Sequence, residues 1–335
     1  MLEPLLSILH DKIEFILCLD ERMPLPAVLA SNVQIRRVKP SVLHRWNAER
    51  WLARNVAPED TVLCFGNLPP LFKLQGHTVV FVQNRYLIDD ISLNRLPIKV
   101  RLRIAIERMW LSGKRTNADK FVVQTPTMKR LLEIRIQGDK AVHILPFVAK
   151  PYGYMRNISP GTLKRDTHFD FLYVASGEPH KNHKMLIEAW RLLAIEGLFP
   201  SLRLTLDKLQ FATLHAEIEL ITLQFGLNIT TTGELSGEDV LSLYKEAGAL
   251  IYPSTFESFG LPLIEARQAG LPILASELDY VRDVLDPEQT FNPESPISIA
   301  RAVKRFMGMD EQALPLQDAK KFLEYVVENV KACVF

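Results

Sequence analysis

The chain has 335 residues, which suits two domains of ~150 residues each better than one core. Hydrophobic residues make up 47% and charged residues 24%, the balance of a globular protein rather than a disordered or fibrous one. The net charge of +1 hides an asymmetry: residues 1 to 150 carry +9 and residues 151 to 335 carry −8, so the two halves are expected to meet different partners.

The chain opens with MLEPLLSILHDK, which reads as a helix. It carries Glu3 and no basic start, unlike a signal peptide. No apolar run approaches the ~20 residues of a membrane span. Cys18, Cys64 and Cys333 have neither metal nor redox spacing and read as reduced thiols. The expectation is a cytoplasmic protein.

In the first half EFILCLD, VQIRRV, TVLCFG, HTVVFVQ and DKFVVQT read as buried strands, being short and rich in β-branched residues. SVLHRWNAERWLARN and PIKVRLRIAIERMWL carry apolar residues at helical spacing. TPTMKRLLE opens another helix, with Thr125 at the cap and Pro126 at the first helical position, where a missing N–H costs nothing. Residues 149–168 are rich in turn formers and read as a linker.

In the second half FDFLYVA, LRLTLD, NITTTG, GALIYPS and LPILAS are the strand signals. MLIEAWRLLAIEG, EDVLSLYKEAG and LPLIEARQAG read as helices ended by glycine. Two strand–helix series imply two α/β domains with mainly parallel sheets, covering 1–148 and 169–315. Residues 316–335 read as a terminal helix crossing back to the first domain. Parallel sheets bind ligands at the carboxyl ends of their strands, so a cleft between the domains is where chemistry is expected.

Two strand–turn–helix segments stand out there. In FDFLYVASGEPHKNHKMLIEAW a strand ends near Ala175, and a Ser-Gly-Glu-Pro turn containing Gly177 leads to His180, Lys181 and Asn182. With Asn182 as helix cap, free N–H groups, a helix dipole and a lysine converge as a phosphate would require. A capped surface helix with a solvated lysine fits the same residues. His180 and His183 lack a third ligand nearby and read as surface or supporting residues, not metal ligands.

The second segment is YPSTFESFGLPLIEARQAGLPILAS. Pro262 falls in the first turn of a helix, again leaving N–H groups free, with Glu257 in the preceding loop and Glu265 one turn inside. Glu265 can accept from ribose hydroxyls. Glu257 can hold a sugar hydroxyl or oppose positive charge at a reacting sugar carbon. No histidine or carboxylate cluster has metal-ligand spacing, and no nucleic-acid partner is implied.

Residues 169 to 310, and above all the Glu-x-Phe-Gly-Leu-Pro-x-x-Glu-Ala match over Glu257 to Ala266, resemble the donor half of retaining glycosyltransferases of family 4, which have the two-domain GT-B fold. The resemblance implies two Rossmann-like domains facing a cleft. It also implies transfer from a nucleotide diphosphate sugar to a glycan or lipid-linked acceptor, without a metal or other cofactor. By position, Lys181 neutralises the diphosphate, and Gly177, Ser258, Phe259, Gly260 and Leu261 bind donor through the backbone. Glu257 contacts the donor sugar, Glu265 the ribose, and Gly233, Glu234 and Leu235 the base. Gln83, Asn84 and Arg85 fall on the acceptor side, where many members carry a histidine. The family's arginine five residues before the lysine is Ser176 here, and Arg85 or His180 are the candidate replacements. A noncatalytic nucleotide-sugar-binding relative, or a truncated transferase, is the alternative.

Two further expectations concern the first half. Residues 98 to 115, IKVRLRIAIERMWLSGKR, hold six basic residues among large apolar ones and suit an anionic membrane surface as well as an ordinary amphipathic helix. The strand and glycine-rich turn that start such a domain are not found before MLEPLLSILHDK. The first domain is therefore expected to lack its first strand, with the intact protein starting upstream of Met1.

Overall fold

The computed structural model describes residues 15–23, 32–94, 96–146 and 167–309. The expected opening helix, linker and terminal helix lie largely or wholly outside them.

The first unit contains β1 (Phe15–Asp20), β2 (Val33–Val38), α1 (Val42–Asn55), β3 (Thr61–Cys64), β4 (His77–Phe81), α2 (Ile98–Gly113), β5 (Lys120–Val123), α3 (Pro126–Arg135) and β6 (Ala141–Ile144). Its strands form two separate parallel sheets, β1-β2 and β3-β4-β5-β6. Among the described residues no strand bonds to the second edge of β1 or of β3, and Leu63 on β3 is half exposed. The core lies under the larger sheet, where Val80, Val82, Phe121 and Val123 pack with Ile104 and Leu111 of α2 and Met128 and Leu132 of α3. At the start of α3 the Thr125 hydroxyl accepts from Met128 N–H at 3.2 Å, as the Thr-Pro signal requires.

The second unit contains β7 (Phe169–Tyr173), α4 (His183–Ile195), β8 (Leu202–Leu204), α5 (Ala212–Phe225), β9 (Ile229–Thr231), α6 (Gly237–Glu246), β10 (Ala247–Tyr252), α7 (Leu261–Gln268), β11 (Ile273–Ser276), α8 (Asp279–Arg282), β12 (Gln289–Phe291) and α9 (Pro296–Phe306). One parallel sheet orders them β12-β11-β10-β7-β8-β9. Strand order reverses between β7 and β10, so their following loops part there and leave a crevice at the carboxyl ends. Those loops carry the two segments singled out in the sequence.

One helix ending differs from its expected form. Helix α6 runs straight into β10, and the glycine expected to stop it, Gly248, lies inside the strand. A Cβ there would approach the Asp170 carbonyl oxygen to 2.7 Å, so close strand contact with β7, not a helix cap, demands the glycine. β6, β12, α5, α8 and α9 are not among the elements expected from the sequence.

Candidate active site

The loops after β7 and β10 are bolted together. His180 carbonyl accepts from Thr255 N–H at 2.8 Å, and Asn182 Nδ2 donates to the Pro253 and Pro293 carbonyls at 3.1 and 2.7 Å. Asn182 has φ +62° and its side chain makes no bond to the first turn of α4. This corrects its expected role as a side-chain cap: the asparagine tolerates the left-handed backbone and spends its amide joining loops.

That junction brings Lys181 and Glu257 together. Lys181 Nζ lies 2.6 Å from Glu257 Oε1, and both side chains are mostly buried. The same oxygen accepts from Ser254 Oγ at 2.8 Å and Tyr252 OH at 3.0 Å. Every bond to the Glu257 carboxylate among the described residues falls on Oε1. Tyr173 donates to the Lys181 carbonyl at 2.6 Å and Tyr280 to the Ser254 carbonyl at 2.8 Å. Burial and the Glu257 charge hold the Tyr173, Tyr252 and Tyr280 hydroxyls well above the ordinary phenol range, so all three remain neutral donors.

Beyond Glu257 the chain turns into α7. Gly260 sits at the N-terminal end of the helix with φ +72°, a backbone that a side chain would strain. Among the described residues, no N–H group of Ser258, Phe259, Gly260 or Leu261 donates to a protein acceptor. Four free N–H groups at a helix start form an anion cradle. Glu265, one turn in, accepts from Tyr244 OH at 3.2 Å. Burial raises its carboxyl above the usual range, and the Tyr244 bond opposes that rise.

A cavity of about 350 Å³ lies over this cradle. Of the expected site residues, Lys181, Glu257, Ser258, Phe259, Gly260, Leu261 and Gln83 line it. Gln124, Tyr252 and Pro262 also line it and were missed. Glu265, Gly177 and the turn of Gly233, Glu234 and Leu235 are not among its walls. Gly177 is required by Phe211, whose ring carbon would come 2.4 Å from an added Cβ. Gly233 makes the turn at φ +81°, Glu234 is exposed, and Leu235 packs on the second core.

Gln83 and Gln124 reach the cavity from the first unit. The N–H groups of Gln83 and Asn84 both donate to Asn67 Oδ1, at 2.6 and 2.8 Å. The Asn84 side chain accepts from Tyr86 N–H at 3.1 Å and so caps the short turn Arg85–Leu87. Arg85 pairs with Asp89 at 2.8 Å, covers the Phe256 ring at 4.5 Å and donates to the Glu257 carbonyl at 3.2 Å. It is the cation that the first unit brings to the loop bearing Glu257. His180 supplies no comparable charge: burial, with Lys181 beside it, lowers its affinity for a proton.

Of the two placements expected for His183, at the surface or in support of the site, the structure rules out the surface. His183 is buried against the Tyr173 ring at 4.9 Å, and neither ring nitrogen has a hydrogen-bond partner. Burial, with Lys181 as a second cause, pushes its pKa down to about 4. Among the described residues no group of three or more His, Cys, Asp or Glu is placed to hold a metal ion.

Residues 155–321 match the family model described as glycosyl transferases group 1. The serotype-specific mannosyltransferase WbdA of Escherichia coli is 30% identical over 149 residues, which cover 42% of this chain and only 18% of that protein. The O-antigen chain mannosyltransferase RfbU of Salmonella typhimurium is 22% identical over 83% of this chain and 74% of its own length. Sucrose-phosphate synthase from Thermosynechococcus elongatus shares the fold at a TM-score of 0.62 and 17% identity, over 88% of this chain and 79% of that one. A trehalose 6-phosphate synthase from Burkholderia multivorans does so at 0.60 and 15% identity, over 80% and 67%. The chain has the GT-B fold, and the match to the glycosyl transferases group 1 model falls on residues 155–321, just under half of the chain.

Proposed function

We propose that the protein is a retaining, metal-independent glycosyltransferase that moves a sugar from a nucleotide diphosphate donor to a glycan or lipid-linked acceptor in surface polysaccharide assembly. The observation that carries this reading is the single cavity that joins Lys181, Glu257 and the free N–H groups of Ser258 to Leu261. As the bond between sugar and diphosphate lengthens, negative charge grows on the leaving group, where the N–H cradle and Lys181 stabilise it. Positive charge grows on the sugar carbon, where the Glu257 carboxylate opposes it. When Lys181 turns to the diphosphate it exchanges one anionic partner for another, and Glu257 keeps the neutral Tyr252 and Ser254 donors. Glu265 receives the ribose, and the turn at Gly233 to Leu235 the base.

The named activity of the relatives makes mannose the first donor sugar to test. Purified protein is screened against nucleotide-sugars by thermal shift, and release of nucleoside diphosphate is then followed with and without a glycan acceptor. Stabilisation by one donor and acceptor-dependent release are expected. A donor that binds without turnover favours the second reading, a noncatalytic nucleotide-sugar-binding protein. That reading draws on Ser176, which donates its hydroxyl to Glu178 where a cation would stand.

We propose further that the first unit works at the inner face of an anionic membrane. Helix α2 leaves Ile98, Leu102 and Met109 between 63% and 72% exposed, beside Lys99, Arg101 and Arg103. Of the six basic residues at 98–115, Arg108 and Arg115 are turned to internal partners, Tyr86 and Asp139. The others leave enough charge for reversible attachment, at about 1 kcal/mol each. Sedimentation with anionic but not neutral liposomes, weakened by salt, is the expected result.

A further inference from the structure

Gln124 is one of the few buried polar residues of the first unit, 5% exposed, and it stands where β5 gives way to α3. Its position is fixed on every side. β5 is hydrogen-bonded to both β4 and β6, and the next residue, Thr125, caps α3. Thr127 N–H then donates to Asp283 of the second unit at 2.9 Å, which ties this helix start to the domain across the cleft. Yet the Gln124 amide itself bonds to nothing: Nε2 is enclosed without a partner, and among the described residues Oε1 accepts no hydrogen bond. Gln124 also lines the cavity that holds Lys181 and Glu257.

A buried amide with unmet donors is destabilising, and an apolar residue of similar volume would avoid the loss. A ligand that completes the amide explains its presence. The chemistry of the group restricts what that ligand is. A carboxamide offers donor and acceptor side by side, and a phosphate oxygen accepts the first but is repelled by the second. A sugar hydroxyl both donates and accepts, so it meets whichever end of the amide a rotation of the side chain turns toward the cavity. We infer that Gln124 is a sugar-recognising residue of this cavity, reading a hydroxyl from the first-domain wall opposite the anion cradle. The inference rests on the functional reading above and extends it from the diphosphate to the sugar. The hydroxyl belongs either to the transferred sugar or to the acceptor sugar, and the test separates the two.

The experiment uses the full chain and the variants Gln124→Leu and Gln124→Glu. Leucine removes both polar atoms, and glutamate keeps the shape while losing the donor. Probes are GDP-mannose, UDP-glucose and UDP-N-acetylglucosamine, the free nucleotides GDP and UDP, and methyl α-mannoside as acceptor. Gln124→Leu is expected to melt no lower than wild type, since it removes an unmet polar group. Both variants are expected to hold the free nucleotides as wild type does. If the transferred sugar is read, both lose about tenfold in affinity for the bound nucleotide-sugar. If the acceptor is read, donor affinity stays and the acceptor concentration at half-saturation rises by about tenfold. Either result supports the assignment. Variants that match wild type toward every sugar, a Gln124→Glu protein that keeps full affinity for both donor and acceptor, or an equal loss toward the free nucleotide overturns it while leaving the functional reading standing. A wild-type protein that binds none of the nucleotide-sugars overturns both.

Discussion

Lys181 and Glu257 meet at 2.6 Å although 76 residues separate them, and the contact exists because the loops after β7 and β10 are tied through Thr255 and Asn182. An ion pair this enclosed is costly to break from one side, since the remaining charge is left in a poorly solvated place; the cost is about 3–5 kcal/mol in buried sites. The two residues therefore act as a unit. Lys181→Ala and Glu257→Ala are each expected to lower turnover by about 10²- to 10³-fold, the loss typical of one transition-state donor. The double variant is expected to lose little more than either single one. Steady-state kinetics on the four proteins checks this, and losses that multiply would show two independent groups.

Tyr252 tests the support beneath that pair. Its hydroxyl donates to Glu257 Oε1 at 3.0 Å from a fully buried ring. Tyr252→Phe keeps the ring and removes one hydrogen bond to a charged group, worth about 1.5–3 kcal/mol. Turnover is expected to fall by about ten- to a hundredfold with nucleotide affinity kept, because the carboxylate is less firmly placed while the N–H cradle is untouched. Loss of nucleotide binding in step with turnover would contradict this.

Glu265 makes a pH prediction. Burial raises its carboxyl in the folded protein, so its contribution to stability is fully present below the ordinary carboxylate value and is lost as pH rises through the raised one. Glu265→Gln does not titrate. The melting temperature of the wild type, relative to that variant, is expected to decline as pH rises above the ordinary carboxylate value of ~4.3. Parallel melting curves across that range would contradict the burial argument.

His183 acts in the opposite direction. With its pKa pushed down to about 4, it contributes stability that is fully present above its ordinary value near ~6.5 and is lost as pH falls toward about 4. The full shift corresponds to about 3 kcal/mol. His183→Phe places a ring of similar size against Tyr173 and removes two nitrogens without partners. That variant is expected to resist acid unfolding between pH 6 and pH 4 better than wild type. Identical acid transitions would show that His183 does not drive the loss.

How legible the molecule was in its sequence depends on how local each feature is. All ten strand segments named from the sequence are strands, and those at the centre of the second unit's sheet are buried on both faces, as an unbroken apolar run implies. β1, β2 and β3, expected to be buried, are instead mostly exposed or half-buried. The start of α7 was legible for a similar reason: Gly-Leu-Pro announces a positive φ and then a first turn. Helix α5 was not, since it buries only His215 and Ile218 and leaves Leu220 and Leu223 exposed, so no clean stripe marks it. Helix α9 did carry a signal in Ser295, whose side chain accepts from Ser298 N–H, and Pro296 behind it. β12 has three residues, too few to show a period. Tyr252 and Gln124 lay beyond sequence reasoning for a different reason. Each sits at the end of a buried strand, and only the loops that fold over from elsewhere decide what its polar atom meets.

Lys181, Glu257 and the helix start at Gly260 are proposed above as a donor site for retaining, metal-independent transfer. The most direct measurement is the anomeric configuration of the first product, read by NMR from a reaction run with excess chelator. The expected product has the configuration of the donor and forms at the same rate with and without the chelator, and Lys181→Ala is expected to give no such product on the same timescale. An inverted product, or a rate restored only by a divalent cation, would contradict it.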